Sequence, residues 1–249
     1  MTTLAIIRDE RYLDHRPGDS HPESPERLGV IHSLIDQEFK DLPRIEPRMA
    51  TEDELALVHD PSYIQRVAAT DGKTFTRLDP DTGVSSRSYQ VARLAAGGLL
   101  EAVDALLTPH SELIRQAHDG DQRRTIGTPN SAFCFVRPPG HHAEHSRAMG
   151  FCLFNNVAIA AEYAVQKYGL KRVLIVDWDL HHGNGTQHSF YNRRDILYFS
   201  SHQYPHYPGS GRFDEVGSGP GEGCTVNAPF PAGFGDEEYL AIYASILKP

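Results

Sequence analysis

The run Val173-Leu174-Ile175-Val176, followed by Asp177-Trp178-Asp179-Leu180-His181-His182-Gly183, constrains this chain more than any other stretch. Four consecutive apolar residues, most of them β-branched, read as a strand buried on both faces, the habit of parallel strands in α/β proteins. Side chains alternate along a strand, so Asp177, Asp179 and His181 project to one side just past its C-terminal end. Ligands of open α/β sheets gather at that edge. Carboxylate oxygens and imidazole nitrogens suit zinc or a similar divalent cation, with one position left open for water in a catalytic site. A lone Asp-x-Asp is as readily a helix cap beside polar loop residues. A second histidine pair upstream outweighs that reading here.

That pair follows another strand. Ser131 to Val136 reads as buried and extended, and Arg137-Pro138-Pro139-Gly140 then forces a rigid turn from which His141 and His142 emerge. Imidazole titrates near neutral pH, so adjacent histidines on a fixed loop suit a general base and an electrostatic partner. Each needs an acceptor to orient its other ring nitrogen, and Asp177 is a candidate for one of them. Histidines satisfied by backbone in a core are the competing account of such a pair.

The remaining segments alternate as α/β chains do. Thr3 to Ile7 reads as a first strand. Ser24 and Pro25 start a helix whose apolar face is Leu28, Ile31, Leu34 and Ile35. Asp60 and Pro61 start a short helix through Ala69. A long helix covers Ser86 to Leu107, where Gly97 and Gly98 permit close packing. Thr108 to Asn130 reads as an exposed polar insertion, and Asn156 to Tyr168 as an Ala-rich helix ended by Gly169. Ile196 to Ser200 is a strand, the Gly- and Pro-rich segment 205–223 a long functional loop, and Asp236 to Leu247 a last helix. One undivided α/β domain over residues 1–249 is the expectation. No apolar run approaches the ~18 residues that span a bilayer. Met1-Thr2-Thr3 begins no signal peptide, and Cys134, Cys152 and Cys224 lack ligand spacing and read as reduced thiols. A cytoplasmic location is expected. The net charge of −9 argues against direct nucleic-acid binding and is compatible with cationic substrates such as lysine-rich tails or polyamines.

Three segments together, RPPGHHA (Arg137 to Ala143), GFCLFNN (Gly150 to Asn156) and VDWDLHHGNG (Val176 to Gly185), resemble the histone deacetylase superfamily, most closely its class II-like and bacterial members. HPESPERL (His21 to Leu28), VHDPSYI (Val58 to Ile64) and Leu78 to Gly98 extend the resemblance to the front of the chain. It implies a three-layer α/β/α arginase–deacetylase fold with a mainly parallel central sheet. It implies a zinc-dependent amidohydrolase acting on acetyl-lysine side chains of proteins, or alternatively on acetylpolyamines. His141 would be the electrostatic partner held by Asp177, and His142 the general base held by Asn184, where class I members carry Asp. Asp179 and His181 would ligate zinc. Gly150, Phe151 and Tyr207 would line the acyl-lysine tunnel, and Asp79 or Asp81, with Asp79 favoured, would grip substrate backbone at the rim. One potassium site would use Asp177, Asp179, His181 and Ser200; a second would use backbone around Phe190, Arg193 and Ile196.

The sequence departs from that family in one respect. The second aspartate ligand lies in a GFDAH-like motif after the next strand, and an oxyanion-stabilising tyrosine lies later in a glycine-rich loop. Residues 1–249 contain neither a GFD nor a GGY string. The expectation is a C-terminally truncated member with two of the three protein ligands, missing its later strands, exposing apolar surface and tending to associate. Weak zinc binding and negligible turnover, or survival as a non-catalytic binding module, follow from that expectation.

Overall fold

Parallel strands form the centre of the molecule, which the computed structural model describes over residues 4–108 and 129–247. Strand β1 (Leu4–Ile7) pairs in parallel with β4 (Ser131–Cys134). Strands β5 (Val173–Asp177), β6 (Ile196–Gln203) and β7 (Thr225–Phe230) form a second parallel group in that order. The antiparallel pair is the hairpin β2 (Phe75–Asp79) and β3 (Thr82–Ser85). The mainly parallel expectation therefore holds, with the described parallel ladders in two groups rather than one continuous sheet. Thr3 and most of the Thr108 to Asn130 insertion lie outside the described residues.

Alternation along β5 to β7 creates three layers. Ile175, Ile196 and Tyr198 turn to one side, into a core with Ala158 and Ile159 of α5 (Asn156–Tyr168) and Ala92, Ala96 and Leu100 of α4 (Ser88–Leu107). Val176, Leu197, Phe199, Val226, Ala228 and Phe230 turn to the other, where Tyr239, Ile242 and Tyr243 of α7 (Asp236–Ile246) cover them. Pro229, which lacks an N–H, sits on β7, the end strand of this group, where a ladder tolerates it. No helix among the described residues is long and apolar enough to cross a membrane.

Local signals set the helix ends. The Asn155 side chain accepts from Ala158 N at 3.1 Å to start α5, and Gly169 ends it in the left-handed conformation at φ 67°. Asp60 caps α3 (Pro61–Ala68) by accepting from Ser62 N at 2.7 Å. On α4, a Cβ at Gly97 would lie 2.0 Å from Arg48 O and one at Gly98 2.7 Å from the Tyr12 hydroxyl, so both glycines admit neighbouring chain.

Three burial expectations fail. On α1 (Pro25–Glu38) the buried face is Leu28, His32 and Ile35, at helical spacing, while Ile31 and Leu34 are rotated out and exposed. Strand β5 is covered chiefly on the α5 side: Leu174 is 54% exposed, because α7 covers β6 and β7 and no described element lies over Leu174. Phe133 on β4 is likewise 52% exposed, and β4 stops at Cys134 rather than Val136.

The HPESPERL segment has a definite structural task. Arg137 and Glu23, both almost wholly buried, form a two-pronged ion pair at 2.5 and 2.7 Å, and Arg137 also donates to the Tyr12 and His15 carbonyls at 2.9 and 3.0 Å. This clamps the entry to α1 against the turn that presents His141 and His142. Removing one partner strands a buried charge, so Glu23→Ala should cost ~3–5 kcal/mol. Denaturant unfolding measures it, and a loss below ~1 kcal/mol would contradict the clamp.

Candidate active site

The site forms where β5 ends at Asp177; Asp179 and His181 follow in a turn rather than in extended chain, with Asp179 N donating to Asp177 and His181 N to Asp179. Asp177 is paired in register with Ser200 of β6, and its side chain turns toward the α4–α5 side. Asp177 Oδ2 accepts from His141 Nδ1 at 2.9 Å and from the Tyr198 hydroxyl at 3.0 Å, while Oδ1 accepts from Asp179 N at 3.2 Å. Burial works against the Asp177 charge, but the bond to and charge of His141 outweigh it and hold the carboxyl below its ordinary range. Burial also opposes charge on His141, and Asp177 again outweighs it, raising the imidazole above its usual value.

His142 lies beside it, ring centroids 4.0 Å apart, in a different environment. Its Nδ1 is 2.8 Å from Asn184 Oδ1 at the start of α6 (Asn184–Phe190). Burial, reinforced by the charge of His141, pushes His142 down to about 4. One histidine is thus biased to carry a proton and its neighbour to be neutral. Environments that push two titrating groups apart are what assign acid and base roles.

Glycine makes room for this arrangement. A Cβ on Gly183 would lie 2.4 Å from Asp177 Oδ2, 2.6 Å from the Tyr198 hydroxyl and 2.9 Å from His141 Nδ1. One on Gly150 would lie 2.3 Å from the His142 ring, and Gly150 has φ 58°.

Asp179 and His181 come together, with Nδ1 of His181 3.2 Å from Oδ1 of Asp179 and its ring centroid 6.0 Å from that of His142. Among the described residues no group of three or more His, Cys, Asp or Glu side chains is arranged to hold a metal ion. The donor types fit a divalent cation of the zinc class. Their number, two, falls short of the three that catalytic zinc sites take from protein.

Tyr207 stands edge-on to His142 at 5.1 Å and to His181 at 5.9 Å, walling the space above both histidines. Phe151, at φ 69°, packs edge-on against His21 at 4.6 Å. Asp79 closes β2 and Asp81 lies in the turn that leads to β3. Asp81 Oδ1 accepts from Gly150 N at 3.0 Å, and burial together with the charge of Asp81 raises the Tyr207 phenol above its ordinary value. Burial and the charge of Asp81 raise Asp79. Ser200 is buried and bonded through Oγ to His202 Nδ1 at 2.9 Å. Phe190, Arg193 and Ile196 lie at the far end of the same βα unit, where Phe190 O accepts from Arg193 N at 3.0 Å.

Sequence reasoning missed Tyr198, Gly183, Glu144 and a buried polar cluster under the 204–223 loop. In that cluster Gln187 Oε1 accepts from His182 Nε2 at 3.0 Å and from Asn227 at 2.7 Å, and Gln187 donates to Glu215 at 2.6 Å. Glu215 in turn accepts from the Gly211 and Arg212 amides at 3.0 Å, tethering the loop that carries Tyr207. Only the glycines of HHGNG offered a sequence signal for any of these.

Four histidines, His15, His59, His142 and His182, are held neutral by burial, His15 down to about 3 and the others to about 4. These folded values lie below the ~6.5 of an unfolded chain, so on acidification the unfolded chain takes up protons that the native state refuses. The stability involved is complete above pH ~6.5 and is lost as pH falls from there through about 4, and for His15 through about 3. Tm should therefore fall steadily from pH 7 toward 4; a Tm independent of pH in that window would contradict the assignment.

The sequence profile of the histone deacetylase domain matches residues 21–249. A protein named probable deacetylase from Archaeoglobus fulgidus is 37% identical over 248 residues, covering 98% of this chain and 64% of that protein. The polyamine deacetylase HDAC10 of Rattus norvegicus is 42% identical over 252 residues, covering 91% of this chain and 38% of its own. The crystal structure of the HDA15 HD domain superposes with a TM-score of 0.88 at 37% identity, over 99% of this chain and 67% of that one. This chain therefore spans less than two thirds of the length of the two sequence relatives.

Proposed function

The chain belongs to the histone deacetylase family, and from that premise we propose that it is an amidohydrolase removing acetyl groups from acetyl-lysine side chains. The observation that carries this reading is the unequal pair of histidines. His142, neutral and buried, offers Nε2 to take a proton from water and return it to the departing amine. His141, holding its proton against Asp177, meets the negative charge that develops on the acetamide oxygen. Gly150, Phe151 and Tyr207 form the channel for an extended alkyl chain, and Asp79 and Asp81 supply acceptors at its mouth.

Zinc is the cofactor of this proposal, held from this chain by Asp179 and His181; when bound there it supplies Lewis-acid polarisation of a carbonyl and an acidified water. Potassium at Asp177, Asp179, His181 and Ser200, and at the backbone of Phe190, Arg193 and Ile196, belongs to the same proposal, as does a cytoplasmic location. With two donors among the described residues, residues 1–249 should hold zinc weakly and lose it on dialysis. Stoichiometric zinc retained through dialysis, measured by atomic absorption, would contradict this.

An acetylpolyamine is the alternative substrate, favoured by the name of the rat relative and by the acidic rim. Parallel turnover assays on an acetyl-lysine peptide and on N-acetylputrescine decide between them. A folded, metal-supplemented protein inactive on both would support a non-catalytic binding module, the reading to which the two-donor count points. In an active preparation His142→Ala should slow the chemical step by ~10²-fold or more. Unchanged kcat in that variant would overturn the role given to His142.

A further inference from the structure

The hydrogen-bond chain of His142 does not stop at Asn184. Asn184 Nδ2 donates to Glu144 Oε1, and the two Glu144 oxygens lie 2.9 and 3.0 Å from His188 Nδ1 on α6. The side chains become more open outward, Glu144 at 18% and His188 at 53% exposure. The Glu144 backbone is fixed as well. Its N–H donates to Arg147 O at 2.9 Å, and its carbonyl accepts at 3.0 Å from Nδ1 of His59, a fully buried neutral ring.

A side-chain amide has one accepting end and one donating end. The Asn184 NH₂ also lies 3.5 Å from the His142 carbonyl and 3.4 Å from Met149 Sδ, contacts too long or too weak to fix its orientation. Without Glu144, Asn184 can present either end, and the ring adopts the tautomer that matches. A carboxylate only accepts. With Glu144 on its far side, Asn184 must turn its NH₂ outward and its oxygen toward His142, so Nδ1 must carry the hydrogen and Nε2 keeps its lone pair. We propose that Glu144 is a positioning residue that fixes the His142 tautomer through Asn184. The inference rests on His142 as the base and adds a residue which that reading does not require. Burial opposes the charge on Glu144, but His188 and Asn184 outweigh it and keep the carboxyl below its ordinary range. The arrangement also separates the two active-site histidines: His141 touches a carboxylate directly, whereas His142 is one amide removed and receives the carboxylate's direction with less of its charge.

The test reads the tautomer and needs neither metal nor turnover. Nitrogen-15 spectra of histidine-labelled residues 1–249 at pH 7 should show His142 hydrogen-bearing at Nδ1 and bare at Nε2. In Glu144→Leu the Nε2–H form should appear. In Glu144→Gln, whose side-chain oxygen still accepts from Asn184, the wild-type tautomer should persist. Wild-type His142 with hydrogen on Nε2 would overturn the proposal even if Glu144→Leu fails to fold, and so would a folded Glu144→Leu that keeps Nδ1–H. Where turnover is measurable, Glu144→Leu should lower kcat by ~10–100-fold with KM little changed. Absence of amidase activity in the wild type would refute the functional reading and leave the tautomer result standing.

Discussion

The bond between Asp177 and His141 is the contact on which the rest of the site depends. It is possible because β5 ends at Asp177 in register with Ser200, which aims the carboxylate toward the turn that bears the histidine pair. Three further conditions hold it there. Tyr198, one layer down on β6, donates a second hydrogen bond to the same oxygen. Gly183 contributes no side chain where a Cβ would collide with all three groups. The buried Arg137–Glu23 pair fixes the turn from the opposite side. The fold thus spends a buried ion pair, usually weak evidence for stability, on registering two loops against each other.

Two identical side chains next to each other in sequence acquire different chemistry from their partners. A carboxylate behind His141 favours the imidazolium, and an amide behind His142 leaves burial to favour the neutral ring. The third wall, Tyr207, comes from an irregular loop whose position depends on the buried polar cluster of His182, Gln187, Glu215 and Asn227. A loop with little apolar content is held by polar contacts instead.

Much of this was legible in the sequence wherever the governing interaction is local. Helix α5 runs from Asn156 to Tyr168 and ends at the left-handed Gly169 as its residues said it would, and the apolar run of β5 leads to the sheet edge where Asp177 stands. What depended on distant chain was not legible. Burial of Leu174 turns on what lies over it, and the exposed faces of Ile31 and Leu34 on how α1 is rolled against the short 3-10 turn Glu10–Asp14, which carries Tyr12. Strand β7 carries Asn227 and Pro229, which mask its pattern, and the β2–β3 hairpin is short. Glu144, Tyr198 and Asp81 act through contacts that no spacing encodes: Glu144 accepts from Asn184, Tyr198 donates to Asp177, and Asp81 accepts from Gly150 N.

The central claim is that the chain itself splits the two histidines into a proton holder and a neutral base. Titration of the His141 and His142 ring resonances by NMR in metal-free protein tests it most directly. The account predicts that His141 keeps its proton above pH ~6.5 while His142 loses its proton near pH 4. Two rings titrating together near the ordinary value, or in the reverse order, would contradict it.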